Sequence, residues 1–138
     1  MARDGYGYFT QITTRWADCD AYGHVNNVQY YSFFDTVIND YLIRHCELDP
    51  TGGDVIGLAV ETHCQFHSSL EFPQLVAAGL RVGKLGNSSV RYEVGIFGEH
   101  ADLPAATGHF VHVFVDATTR RPVDMPPKIR EGLRRLHP

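Results

Sequence analysis

The sequence predicts a single α+β domain in which one long early helix is followed by a run of antiparallel strands. Three observations predict it. Apolar residues between Tyr30 and Leu42 recur every three or four positions, and from Leu58 onward the period changes to two. The connections after the helix are short or hairpin-like, which leaves no room for parallel crossovers. The 138 residues are the length of one domain around one core, so no second domain is expected.

Tyr8 to Trp16 alternates aromatic or aliphatic residues with Thr, Gln and Arg, and predicts a first strand that runs into a polar loop. Asn26 or Asn27 is a suitable N-cap for the helix. Tyr30, Tyr31, Phe34, Val37, Ile38, Tyr41 and Leu42 then form one wide apolar face, which ends near Cys46, ahead of Pro50 and Gly52-Gly53. A helix this apolar needs a sheet to lie on. In the next segment Leu58, Val60, Thr62, Cys64 and Phe66 fall on one face, with Ala59, Glu61, His63, Gln65 and His67 on the other, and one buried face is expected. Val76, Ala78, Leu80 and Val82 repeat the pattern, and Gly86-Asn87 supplies a turn into Val90, Tyr92, Val94 and Ile96. Thr107 to Val115 completes the sheet. Pro126-Pro127 opens a short basic terminal helix carrying Ile129, Leu133 and Leu136. The chain has no internal repeat and no low-complexity segment.

Composition narrows the partners. The net charge is −4 and no basic run is long enough to track a phosphate backbone, so nucleic acid is not an expected partner. No apolar stretch approaches the roughly 20 residues of a membrane span, and Met1-Ala2-Arg3-Asp4-Gly5 lacks the hydrophobic segment of a signal peptide. A cytoplasmic protein is expected. Cys19, Cys46 and Cys64 are odd in number and lack CxxC spacing, which suits reduced thiols. Eight histidines raise the question of a metal. On one strand His63 and His67 would stand roughly 13 Å apart, and His109 and His112 would face opposite sides, so no metal is expected.

The most informative stretch is Arg15-Trp16-Ala17-Asp18-Cys19-Asp20-Ala21-Tyr22-Gly23-His24-Val25-Asn26-Asn27-Val28-Gln29-Tyr30, which places carboxylates just before the amides that open the helix. Those first amides lack intrahelical partners and carry the positive end of the helix dipole, so they can polarise a carbonyl oxygen. In the plain reading, Asp20 is only a turn or cap residue. The spacing Arg15-Trp16-x-Asp18-x-Asp20-x-x-Gly23-His24-Val25-Asn26-Asn27-x-x-Tyr30 resembles the signature of the hotdog-fold acyl-CoA thioesterases, in the branch of the 4-hydroxybenzoyl-CoA thioesterases and their long-chain acyl-CoA relatives.

That resemblance implies a curved antiparallel sheet wrapped around one long central helix. It also implies homodimers or dimer-based homotetramers that pair sheets edge to edge, with sites at the interface. It makes Asp20 the catalytic carboxylate and the Asn27 N–H the donor to the thioester carbonyl, with Gly23 allowing the tight turn between them. His24 either lines the site or orients Asn26-Asn27. Asp18 is expected to fix the loop or pair with Arg15. Asp35 stands about two turns into the helix, where a related branch carries its acid, and is the alternative to Asp20. Tyr30 and His67 are counted as substrate contacts. Arg81, Lys84, Asn87, Ser88, Ser89 and Arg91 form the best patch for coenzyme A phosphates, ahead of Arg120 and Arg121.

The implied reaction is hydrolysis of an acyl-CoA or acyl-carrier-protein thioester. The carboxylate serves either as nucleophile through a mixed anhydride or as general base on water. A thiol of pKa roughly 8.5 leaves as thiolate without a strong acid, and no cofactor is required. Two other readings stay open: a non-catalytic acyl-CoA-binding regulatory module, and a hotdog hydratase or dehydratase. The sequence does not name the acyl group.

Overall fold

The computed structural model describes residues 2–138. Five strands, β1 (Tyr8–Thr13), β2 (Val55–Phe66), β3 (Leu75–Leu85), β4 (Ser89–Phe97) and β5 (Ala106–Asp116), form one antiparallel sheet in the order β1-β3-β4-β5-β2. The long helix α1 (Asn27–His45) lies across its inner face, and α2 (Pro127–Arg134) closes one end. This is the hotdog arrangement, an α+β fold with the sheet curved around a central helix.

The core forms where the predicted apolar stripes meet. Phe34, Val37, Ile38 and Leu42 of α1 are fully buried against Val76, Ala78, Leu80 and Val82 of β3 and Tyr92, Val94 and Ile96 of β4. Gly108 of β5 brings the helix close, since a Cβ there would lie 2.6 Å from the Phe34 ring. Ile129, Leu133 and Leu136 seal the far end. Among the described residues no helix is long and apolar enough to cross a membrane.

Two expectations need correction. The first strand ends at Thr13, not Trp16. The buried Asp18 carboxylate accepts from the Arg15 backbone N–H at 2.8 Å and from the Arg15 guanidinium at 2.8 and 3.0 Å, and so winds Trp16–Asp18 into a 3-10 turn. In β2 the single alternation is broken by a bulge between Ala59 and Glu61. Leu58 pairs with Val113 on the outer face, whereas Thr62 pairs with Phe110, and Cys64 packs against the core. Val60 is left 59% exposed. Because β2 is an edge strand, one inserted residue displaces no second neighbour.

Candidate active site

The site grows from the loop between β1 and α1. Thr14, itself buried, donates to the Glu71 carbonyl at 3.0 Å and accepts from the Gln74 N–H at 3.0 Å, which ties the loop to the strap that follows β2. Val25 N–H reaches the Leu70 carbonyl at 2.8 Å, adding a second tie. Between these anchors the loop doubles back on itself. Cys19 bridges to Val25, Asp20 N–H donates to His24 O at 3.0 Å, and Gly23 N–H donates to Asp20 O at 3.1 Å. Gly23 has φ +83°, a backbone conformation that side chains with a Cβ rarely adopt.

Asn26 ends the loop and starts the helix. Its Oδ1 accepts the Val28 N–H at 3.0 Å, and its carbonyl accepts the Gln29 N–H at 2.9 Å. Of the first three helical amides, only Asn27 N–H has no acceptor among the described residues. Asn27 lines a cleft of about 310 Å³ with His24 and Val25 on one wall and Phe66, His67, Ser68 and Ser69 on the other. Tyr30 lies between the walls, edge-on to Phe66 at 5.0 Å. Burial pushes the Tyr30 phenol up, so it stays protonated and can donate. The His67 ring is held through Nε2 by Thr107 Oγ1 at 2.8 Å.

Asp20 stands beside this cleft, half-buried. Its Oδ1 accepts from Tyr22 N–H at 2.9 Å, and its Oδ2 accepts from Asn26 Nδ2 at 3.4 Å. Asp35 does not join it. It lies on the exposed side of α1, where Asn39 donates to its Oδ1 at 3.0 Å. The structure thus brings Asn27, His24, Tyr30 and His67 together, with Gly23 and Asp20 adjacent, and leaves Asp35 on another face of this chain.

The expected phosphate patch divides. Arg81 and Arg91 line a cleft of about 510 Å³ on the outer face of the sheet, with Tyr6, His63, Gln65 and His109. There Arg81 pairs with Glu93 at 2.5 Å, Arg91 contacts His109 Nδ1 at 3.2 Å, and His109 Nε2 meets Glu61 at 2.7 Å. Lys84, opposite Arg91 in the ladder, is exposed. Asn87, Ser88 and Ser89 sit at the far end. Ile96 is level with Ala106 and Phe66 at the cleft, and Ser89 is seven residues along the strand, about 23 Å at ~3.3 Å per residue. The turn carbonyls there are already occupied, Gly86 O and Asn87 O by Arg130 at 2.9 Å each, and Ser88 O by Phe114 N–H at 2.7 Å.

Sequence reasoning passed over Thr107, the strap serines Ser68 and Ser69, and any role for Asn26 beyond a cap. Only the tertiary fold shows that residues 66–69 face residues 24–27 across the cleft and that Thr107 holds the His67 ring there.

A family model described as the thioesterase-like superfamily matches residues 14–133. The chain belongs to the thioesterase-like superfamily. With that membership goes the reaction class, and the protein is a thioester hydrolase. The thioesterase superposes on the PA5185 protein of Pseudomonas aeruginosa with a TM-score of 0.97 and 50% identity, over 99% of this chain and 95% of that one. A DHNA-CoA thioesterase from Staphylococcus aureus shares the fold at TM-score 0.80 and 21% identity, covering 90% of this chain and 86% of that one. So does a 1,4-dihydroxy-2-naphthoyl-CoA thioesterase from Synechocystis, at TM-score 0.82 and 15% identity over 91% and 94% of the two chains. Comparison with curated proteins gives no match.

Proposed function

We propose that this thioesterase hydrolyses an acyl-CoA thioester, with Asp20 as the catalytic carboxylate and the Asn27 N–H as the donor to the carbonyl oxygen. The observation that carries the reading is the open Asn27 amide at the head of α1, facing a cleft whose neighbouring loop holds Asp20. A carbonyl bound there gains a hydrogen bond that strengthens as its oxygen becomes an oxyanion. Asp20 then attacks the carbonyl carbon, expelling the thiolate and forming a mixed anhydride that water opens to the free acid and the regenerated carboxylate, or it takes a proton from a water that attacks the carbonyl carbon directly and expels the thiolate. Carboxylate, amide and water suffice without a cofactor.

The nucleotide end of coenzyme A meets Arg81 and Arg91 on this reading, with Lys84 at the rim. The hairpin residues Asn87, Ser88 and Ser89 serve a thioester site only across a dimer, because they stand far from Asn27 of their own chain. The unpaired edge of β2, with Val60 and Phe66 exposed, supports such a homodimer or a tetramer built from it. The three free thiols suit a cytoplasmic location.

One observation favours the regulatory-module reading, since Asp20 Oδ1 is spent on the Tyr22 amide as in an ordinary turn. Thiol release from acetyl-, hexanoyl-, palmitoyl- and benzoyl-CoA separates the two. Turnover that falls at least ~100-fold in Asp20→Asn, with KM little changed and Asp35→Asn near wild type, supports the catalytic assignment. Tight binding without turnover would support the module, and a reversed order of the two variants would move the chemistry to α1.

A further inference from the structure

We propose that Asn26 is the positioning residue of this site, holding the Asp20 carboxylate in register with the Asn27 amide; the proposal rests on the catalytic assignment above. One short side chain makes both connections. Asn26 Oδ1 caps the helix at Val28 N–H, and Asn26 Nδ2 donates to Asp20 Oδ2. Its backbone N–H is itself fixed to the Asp18 carbonyl at 2.8 Å. The orientation of the amide follows from its neighbours. Val28 N–H requires an acceptor and the carboxylate requires a donor, so the flipped amide would turn both contacts repulsive.

The residue type marks the second duty. A cap alone is served as well by Ser, and an Asp would add a favourable charge to the helix N-terminus. Only a side-chain amide of this length presents an acceptor to Val28 and a donor to Asp20 at once. With Tyr22 N–H on Oδ1 and Asn26 on Oδ2, both carboxylate oxygens are held while lone pairs remain open to a substrate. The acid is thereby linked through one residue to the start of the helix whose first amide is free. Orientation of this kind acts on the chemical step rather than on ground-state binding.

The test uses two variants that both retain a capping group. Asn26→Ser keeps the cap but, one bond shorter than an amide nitrogen already 3.4 Å from Asp20 Oδ2, its hydroxyl no longer reaches the carboxylate, and it is expected to lower kcat at least ~10-fold with KM and melting temperature near wild type. Asn26→Asp keeps cap and shape but faces Asp20 with a second carboxylate. The acidic limb of its kcat/KM profile is expected to move to higher pH by about half a unit or more. Activity is read on the best substrate of the acyl-CoA panel. Folded variants with wild-type kcat and an unmoved pH profile would reduce Asn26 to a cap and overturn the proposal. An active Asp20→Asn enzyme would remove the acid itself, a failure recognisable without either Asn26 variant.

Discussion

Gly132 of α2 rests on the sulfur of Cys46 at the C-terminal end of α1, so closely that a methyl group on Gly132 would overlap the thiol. The contact is fastened by Tyr41, whose hydroxyl donates to Gly132 O at 2.5 Å, and by Arg135, which donates to His45 O at 3.1 Å. Burial pushes the Cys46 thiol up to about 11. Gly132→Ala gains about 1 kcal/mol of helix propensity but incurs an overpacking cost of about 1–3 kcal/mol, so a net loss is expected. Urea unfolding should show that loss, and Cys46→Ala should recover part of it in the double variant. A Gly132→Ala protein more stable than wild type would mean that α2 can shift.

Acid should weaken the fold through His112. It lies among Tyr92, Phe110 and Phe114, only 4% exposed, with Nδ1 unpartnered among the described residues. Burial lowers its pKa from 6.5 to about 4. The unfolded imidazole takes up a proton below its ordinary pKa, while the folded one resists until about 4, so stability falls as pH drops through that window. At ~1.4 kcal/mol per unit the loss approaches about 3 kcal/mol. His112→Leu should flatten the dependence between pH 7 and about 4.5. An unchanged slope would assign the acid sensitivity to other groups.

Removing Lys84 and Arg91 together should raise KM for acyl-CoA and weaken its salt dependence, while a truncated pantetheine thioester is turned over nearly as before. Arg81 is the poorer probe. Its pairing with half-buried Glu93 means that Arg81→Ala also disturbs the sheet. Equal losses on both substrates would take the phosphates away from this face.

Assembly is open to a direct test at Val60, the exposed bulge residue of the β2 edge. Light scattering at micromolar concentration should find a dimer or tetramer, and Val60→Lys should shift it toward monomer with a fall in activity. A fully active monomeric wild type would refute the shared-site picture.

Much of this was legible in the sequence because local rules were left to operate. The stripe from Tyr30 to Leu42, the Asn26 cap and the Gly86-Asn87 turn each depend on a few neighbouring residues, and all occur where periodicity and turn chemistry place them. The β2 bulge was not legible, since Val60 continues the alternation perfectly as a residue type. Its exposure follows from pairing with β5 along only one side.

The sequence by itself determined the element order, the α+β class and the juxtaposition of Asp20 with the helix-opening amide, because these lie within one short segment. Tertiary structure alone decided which distant residues share the site. It brought His67 and the strap serines to the wall opposite Asn27, turned Asp35 to solvent, and gathered Arg81 and Arg91 into an outer-face cleft with Tyr6, His63 and His109. Those relations depend on strand order and register, which a cooperative core selects across tens of residues and no local pattern encodes.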